Sequence, residues 1–131
     1  MKTLPLRLVP GADLRRELEA ALAAHGVEAG FVLQGIGSLQ PAVLRLAGAE
    51  ATVSPAGSVE LLTLAGSVGP GGSHLHASVS DAAGRVLGGH LGYGSVVHTT
   101  AEVLLALLPD WAFSREPDAT TGYAELVVRQ R

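Results

Sequence analysis

Cysteine is absent from this chain of 131 residues. Its absence excludes disulfides, thiolate zinc sites and cysteine nucleophiles, so any metal must be held by nitrogen and oxygen ligands. Charge is also scarce: 16% of residues are charged against 47% hydrophobic, where soluble domains average about 25% charged. A chain so poor in charge is expected to bury part of its surface against copies of itself. Basic runs are missing too. Nine Lys and Arg face 12 Asp and Glu, for a net charge of −3, and the one Arg-Arg pair, in Leu14–Glu19 (LRRELE), is balanced by two glutamates. Phosphate contacts supply much of the affinity of nucleic-acid binders, so DNA binding by this chain alone is disfavoured. No stretch reaches the ~18–20 apolar residues of a membrane span, and the opening MKTLPLRLVPG lacks the apolar core of a signal peptide. A cytoplasmic protein without a membrane partner is the expectation.

The length fits one domain, residues 1–131, able to bury a core of its own. TLPLRLVP (3–10) reads as a strand with Leu4, Leu6 and Leu8 on one face. GADLRRELEAALAAHG then reads as a helix. Asp13 suits the N-cap, Leu14, Leu18, Ala21 and Leu22 form an apolar stripe, and Gly26 suits the C′ position. From Glu28 the texture is β: AGFVLQGIGSL (29–39), AVLRLAG (42–48) and SVELLTLAGSVG (58–69) are apolar runs separated by Pro- and Gly-containing turns. SVVHTTAEVLLALLP (95–109) begins as a strand, but its AEVLLALL half fits helix equally by period. YAELVVRQ (123–130) closes the series as a further strand. No tandem repeat is visible. Short strands divided by Gly-rich turns predict a mostly antiparallel sheet or barrel with the helix packed on it.

Three of the five histidines lie in GGSHLHASVSDAAGRVLGGHLGYG (71–94). On a strand, His74 and His76 point to the same face. SDAAGR reads as a hairpin turn with Gly84 free to take a left-handed conformation. If the loop is Ala82–Gly84, Asp81 opposes Arg85 and His76 opposes His90, with Cβ atoms about 5 Å apart and His74 on the diagonal. A slip of one residue turns His90 to the other face. In the first register three imidazoles form one facial set suited to zinc, iron, nickel or copper, with a position left open as in catalytic zinc sites. In the second they are polar residues of a surface or an interface. The surrounding glycines leave room for a ligand or another subunit to come close.

Glu60, within an apolar strand, and Glu102, in TTAEVLL, are candidates for a supporting acceptor, a fourth ligand or a general base, or else exposed strand residues. His98 is a lesser ligand candidate, His25 reads as a helix C-terminal residue, and Asp81 supports the turn. GIGS (35–38) lacks the third glycine of a dinucleotide fingerprint and the lysine of a P-loop.

The order of these motifs resembles the "plants and prokaryotes conserved" (PPC) domain family, found alone in bacteria and archaea and after AT-hooks in plant nuclear proteins. The matching stretches are LVPGADLRRELEAALAAHGVEAGFVLQGIGSLQPAVLRL, VELLTLAGSV, HLHASVSDAAGRVLGGHL, HTTAEVLL and FSREPDATTGYAEL, nearly the whole chain. The resemblance implies a stand-alone prokaryotic member with an α/β (α+β) fold, a largely antiparallel sheet with packed helices, assembled as a homotrimer. It also implies a divalent metal, zinc first, on His74, His76 and His90. No AT-hook occurs here, so a DNA-associated role rests on analogy alone. The cupin barrels also join HxH to an acid and a later His. Asp81 falls near that acid, but the N-terminal strand–helix unit fits the PPC pattern better. Two functions follow: a trimeric metal-containing module that binds a protein or small-molecule partner, or a metal-dependent enzyme of hydrolase or hydratase type. A concave pocket beside the histidines would separate them.

Overall fold

The computed structural model describes residues 1–131. Ten strands and one helix follow in the order β1 (Lys2–Leu8), α1 (Leu14–Ala24), β2 (Gly30–Leu39), β3 (Leu44–Arg45), β4 (Thr52–Val53), β5 (Val59–Val68), β6 (His74–Ser80), β7 (Val86–Leu91), β8 (Val97–Leu107), β9 (Trp111–Pro117) and β10 (Ala124–Gln130). Eight strands form one sheet in the order β1-β8-β2-β5-β6-β7-β3-β4, and β9 and β10 pair as a separate two-stranded hairpin. Neighbouring strands are antiparallel throughout. The antiparallel sheet is as expected. The packed helices implied by the resemblance reduce to one, of 11 residues, so the fold is largely β rather than α/β.

α1 forms where its sequence signals place it. The Asp13 carboxylate accepts from the Arg16 backbone N–H, and Leu14, Leu18 and Leu22 are buried one turn apart. Gly26 closes the helix at φ +63°, a left-handed position that costs glycine least. The leucine stripe meets Val97, Val103 and Leu105 of β8 and Val59, Leu61 and Leu64 of β5 in one continuous apolar core.

AEVLLALL is strand, not helix. β8 lies between β1 and β2, pairing with β2 from Val97 to Leu107 and with β1 from Ala101 to Leu107. A central position satisfies its backbone on both sides, and the β-branched start at Thr99 and Thr100 suits it. No helix is long and apolar enough to cross a membrane.

β2 and β5 lie side by side and share the same alternation of buried and exposed positions along ten residues. In each, one leucine is the extra residue of a bulge: Leu33 against β8 and Leu62 against β6. In each, a glycine at positive φ precedes a buried serine: Gly37 (φ +155°) before Ser38, and Gly66 (φ +145°) before Ser67. The outer face of the sheet, away from α1, carries Phe31, Ile36 and both bulge leucines as exposed side chains.

Candidate metal centre

The β6–β7 turn decides the site. Asp81 N–H donates to Arg85 O, and Gly84 N–H donates to Asp81 O, both at 3.0 Å. The loop is therefore Ala82–Gly84, with Gly84 at φ +78°. The Asp81 carboxylate accepts from the Ala83 and Arg85 backbone N–H groups and from Arg85 Nε, each at 2.9 Å. These bonds, the Arg85 backbone first, hold its pKa below the ordinary carboxylate value. Asp81 is thus a turn residue. The pairs that follow are Ser80↔Val86, Ser78↔Gly88 and His76↔His90, the register in which all three histidines share a face.

His74, His76 and His90 bring one nitrogen each to within 4.8 Å of one another. His74 Nε2 and His90 Nδ1 are 3.2 Å apart, and the three ring centroids are 4.7 to 5.2 Å apart. Two nitrogens bound tetrahedrally to one zinc stand roughly 3.3 Å apart. The His74–His90 pair already meets that spacing, and the third nitrogen lies within 4.8 Å of both. Burial lowers the pKa of His74, and His76, Arg115 and His90 add to the effect while Glu125 opposes it. Burial also lowers that of His90, helped by Arg45 and His76. Both shifts favour the neutral ring, the form that binds a metal. The donor set fits a divalent transition metal.

The other sequence candidates lie elsewhere. Glu60 pairs with Ser80 on β6, four residues beyond His76, or about 13 Å along the strand. Glu102 is on β8, with β2 and β5 between it and β6, about 14 Å at ordinary strand spacing. Neither joins the histidines within the chain. His98 is exposed on β8, and His25 caps α1 with its Nδ1 2.8 Å from Ala21 O.

Two groups around the histidines are not evident from local sequence patterns. The first reaches in from α1. Arg15 Nε donates to Ser73 Oγ at 3.0 Å, Nη2 donates to Ser73 O, and Nη1 donates to Leu91 O at 3.3 Å. One guanidinium thereby bonds the residues next to His74 and His90. Its carbon sits 3.9 Å over the centre of the Tyr93 ring. Glu19 Oε1 accepts from Ser73 N–H, Ser73 Oγ and Tyr93 Oη at 2.7 to 2.9 Å. This network pins the Gly-rich loop that leads into β6.

The second group comes from the β9–β10 hairpin. Phe113 is buried and meets Phe31 edge to face at 5.6 Å, so the hairpin lies over the end of β2 and β5. Arg115 Nη2 donates to Ser67 Oγ at 2.8 Å, and Ser67 pairs directly with His74. Between hairpin and sheet is a cavity of about 300 Å³ lined by Phe31, Ala65, His74, His76, Arg115, Glu125 and Leu126, among others. A larger hollow of about 630 Å³ lies between α1 and the loop at Gly69–Gly72 and contains no histidine.

Comparison with known proteins gives the same direction. A model of the Plants and Prokaryotes Conserved (PCC) domain matches residues 1–109. The bifunctional protein GlmU of Synechococcus sp. (strain JA-2-3B'a(2-13)) is 47% identical over 129 residues, 98% of this chain. The chain spans only 20% of that relative's length. Among solved structures, a hypothetical protein from Salmonella enterica superposes with a TM-score of 0.94 at 40% identity, over 99% of this chain and 94% of its own. A metal-containing protein from Archaeoglobus fulgidus superposes with a TM-score of 0.83 at 29% identity, over 97% of this chain and 94% of its own.

Proposed function

The chain belongs to the Plants and Prokaryotes Conserved (PCC) domain family, and from that premise we propose that it is a trimeric metal-binding module. His74, His76 and His90 hold a divalent transition metal, zinc first. The observation that carries this reading is the convergence of three imidazole nitrogens within 4.8 Å on two adjacent strands. The name of the Archaeoglobus fulgidus relative, a metal-containing protein, supports it. The exposed apolar side chains of the outer face support self-assembly, because a face with Phe31, Leu33, Ile36 and Leu62 between 39% and 48% exposed favours burial against a copy. The match within a much longer bifunctional relative supports a module that serves a larger activity by binding or assembly. A cytoplasmic setting is consistent with the lack of cysteine.

One observation favours the enzyme reading as the second. His74 and His76 open onto a cavity that also holds an arginine and a glutamate, the concave site a hydrolase or hydratase needs. A divalent ion there supplies Lewis acidity. Arg115 would bind an anionic group of the substrate, and Glu125 would take or hold a proton.

Metal analysis of protein purified without a histidine tag, together with its mass in solution, tests the proposal. About one zinc or other transition metal per chain in a trimer is the expected result. A chain that stays metal-free after incubation with zinc would return the three histidines to the role of surface residues.

A further inference from the structure

We propose that the cavity beside the histidines is a binding site for a small hydroxycarboxylic acid, with Arg115 taking the carboxylate and Glu125 the hydroxyl. Arg115 is half-buried and makes one side-chain hydrogen bond, through Nη2 to Ser67. A guanidinium has five N–H donors in a planar fork, so the donors other than the one on Ser67 have no protein acceptor, and Arg115 lines the cavity. Paired donors of that geometry match a carboxylate. Glu125 lines the same cavity and is also half-buried. A carboxylate only accepts hydrogen bonds, so it calls for a donor on the ligand. It also repels a dianion, which favours a monocarboxylate over a phosphate. Phe31, Ala65 and Leu126 supply an apolar wall. The volume of about 300 Å³ has room for a ligand of a few carbons.

Placement relative to the histidines gives the third contact. Ser67, which anchors Arg115, is the cross-strand partner of His74, and the Cβ atoms of such a pair are about 5 Å apart. A ligand held by Arg115 therefore presents its other oxygen toward the histidine group. This third contact rests on the metal reading; the contacts to Arg115 and Glu125 do not. Both residues lie outside the segment matched by the family model, which ends at residue 109.

Calorimetric titration of the zinc-incubated full chain with lactate, propionate and inorganic phosphate tests the proposal. Lactate is expected to bind more tightly than propionate, which lacks the hydroxyl, and than phosphate. Arg115→Met is expected to weaken lactate roughly tenfold or more, the worth of a charge-assisted hydrogen bond. Glu125→Gln is expected to reduce the preference for lactate over propionate. Ser67→Ala removes the tether of Arg115 but keeps the guanidinium, and is expected to weaken lactate less than Arg115→Met does. Equal lactate binding by the wild type and Arg115→Met, tighter phosphate binding, or an equal loss in Ser67→Ala would overturn the carboxylate site. Zinc content, measured on the same samples, decides the metal reading separately: a zinc-free chain that still binds lactate through Arg115 keeps the carboxylate site and loses the metal.

Discussion

At the scale of single residues, the proposed metal centre rests on one arginine that is not itself a ligand. Arg15 bonds Ser73 and Leu91, the neighbours of His74 and His90. It therefore ties the two strands together at the level of the site. Arg15→Met keeps the aliphatic stem and loses the fork. Zinc affinity, read by competition with a chromophoric chelator, should fall roughly tenfold, the low end for groups that orient metal ligands. Arg16 is the control. It lies 4.8 Å over the same Tyr93 ring and makes no bond to β6 or β7, so Arg16→Met should leave zinc affinity unchanged. A second residue-scale prediction concerns protons. Burial above all places the folded-state pKa values of His74 and His90 below 6.5. Below that value the unfolded chain takes up protons that the folded chain resists, so the two rings oppose folding as the pH falls. Their neutral state imposes no such cost above the unfolded value. The urea midpoint of metal-free protein should be lower at about pH 5.5 than at about pH 7.5, and the difference should shrink in a His74→Asn, His90→Asn double variant.

At the scale of elements, β5 and β2 act as a natural pair of experiments. Gly66 and Gly37 occupy the same place in strands of the same burial pattern. A Cβ on Gly66 would meet the backbone oxygen of His74 and the Leu75 Cα; one on Gly37 would meet the Thr100 oxygen and the Ala101 Cα. Both alanine variants are crowded at backbone and strained at positive φ, so each should lose about 1–3 kcal/mol of stability in urea. Only Gly66→Ala should also weaken zinc, because only there does the clash displace a ligand's own backbone. The same elements explain what was legible in the sequence. The β6–β7 register could be read because it depends on a local turn: Asp81 and Gly84 fix a three-residue loop, and alternation does the rest. The remoteness of Glu60 and Glu102 could not, since the first follows from the β5–β6 register and the second from strand order. The AEVLLALL segment was ambiguous for the same reason: its period admits either element, and its neighbours β1 and β2 decide. Arg115 and Glu125 stand in the FSREPDATTGYAEL stretch, visible in the sequence only as part of a family resemblance. Their approach to the histidines requires β9–β10 to fold back over the sheet, and no local pattern encodes that.

At the scale of the whole molecule, assembly and metal binding can be separated. The three histidines converge within one chain, so a partner subunit is not needed to supply the first three nitrogens. The apolar outer face, by contrast, has nothing from this chain over Ile36 and Leu62, which are 46% and 41% exposed on adjacent strands. Glutamate at both positions adds two charges to a surface that assembly would desolvate, at a cost of several kcal/mol per buried ion. It leaves the core on the other face of the sheet untouched. The Ile36→Glu, Leu62→Glu variant should therefore run as a folded monomer in light scattering while still taking up about one zinc per chain. A monomer that no longer takes up zinc would mean that the site is completed across the interface, with a neighbour's residue beside His74 and His76. A variant that remains a trimer would move the interface to another face of the molecule.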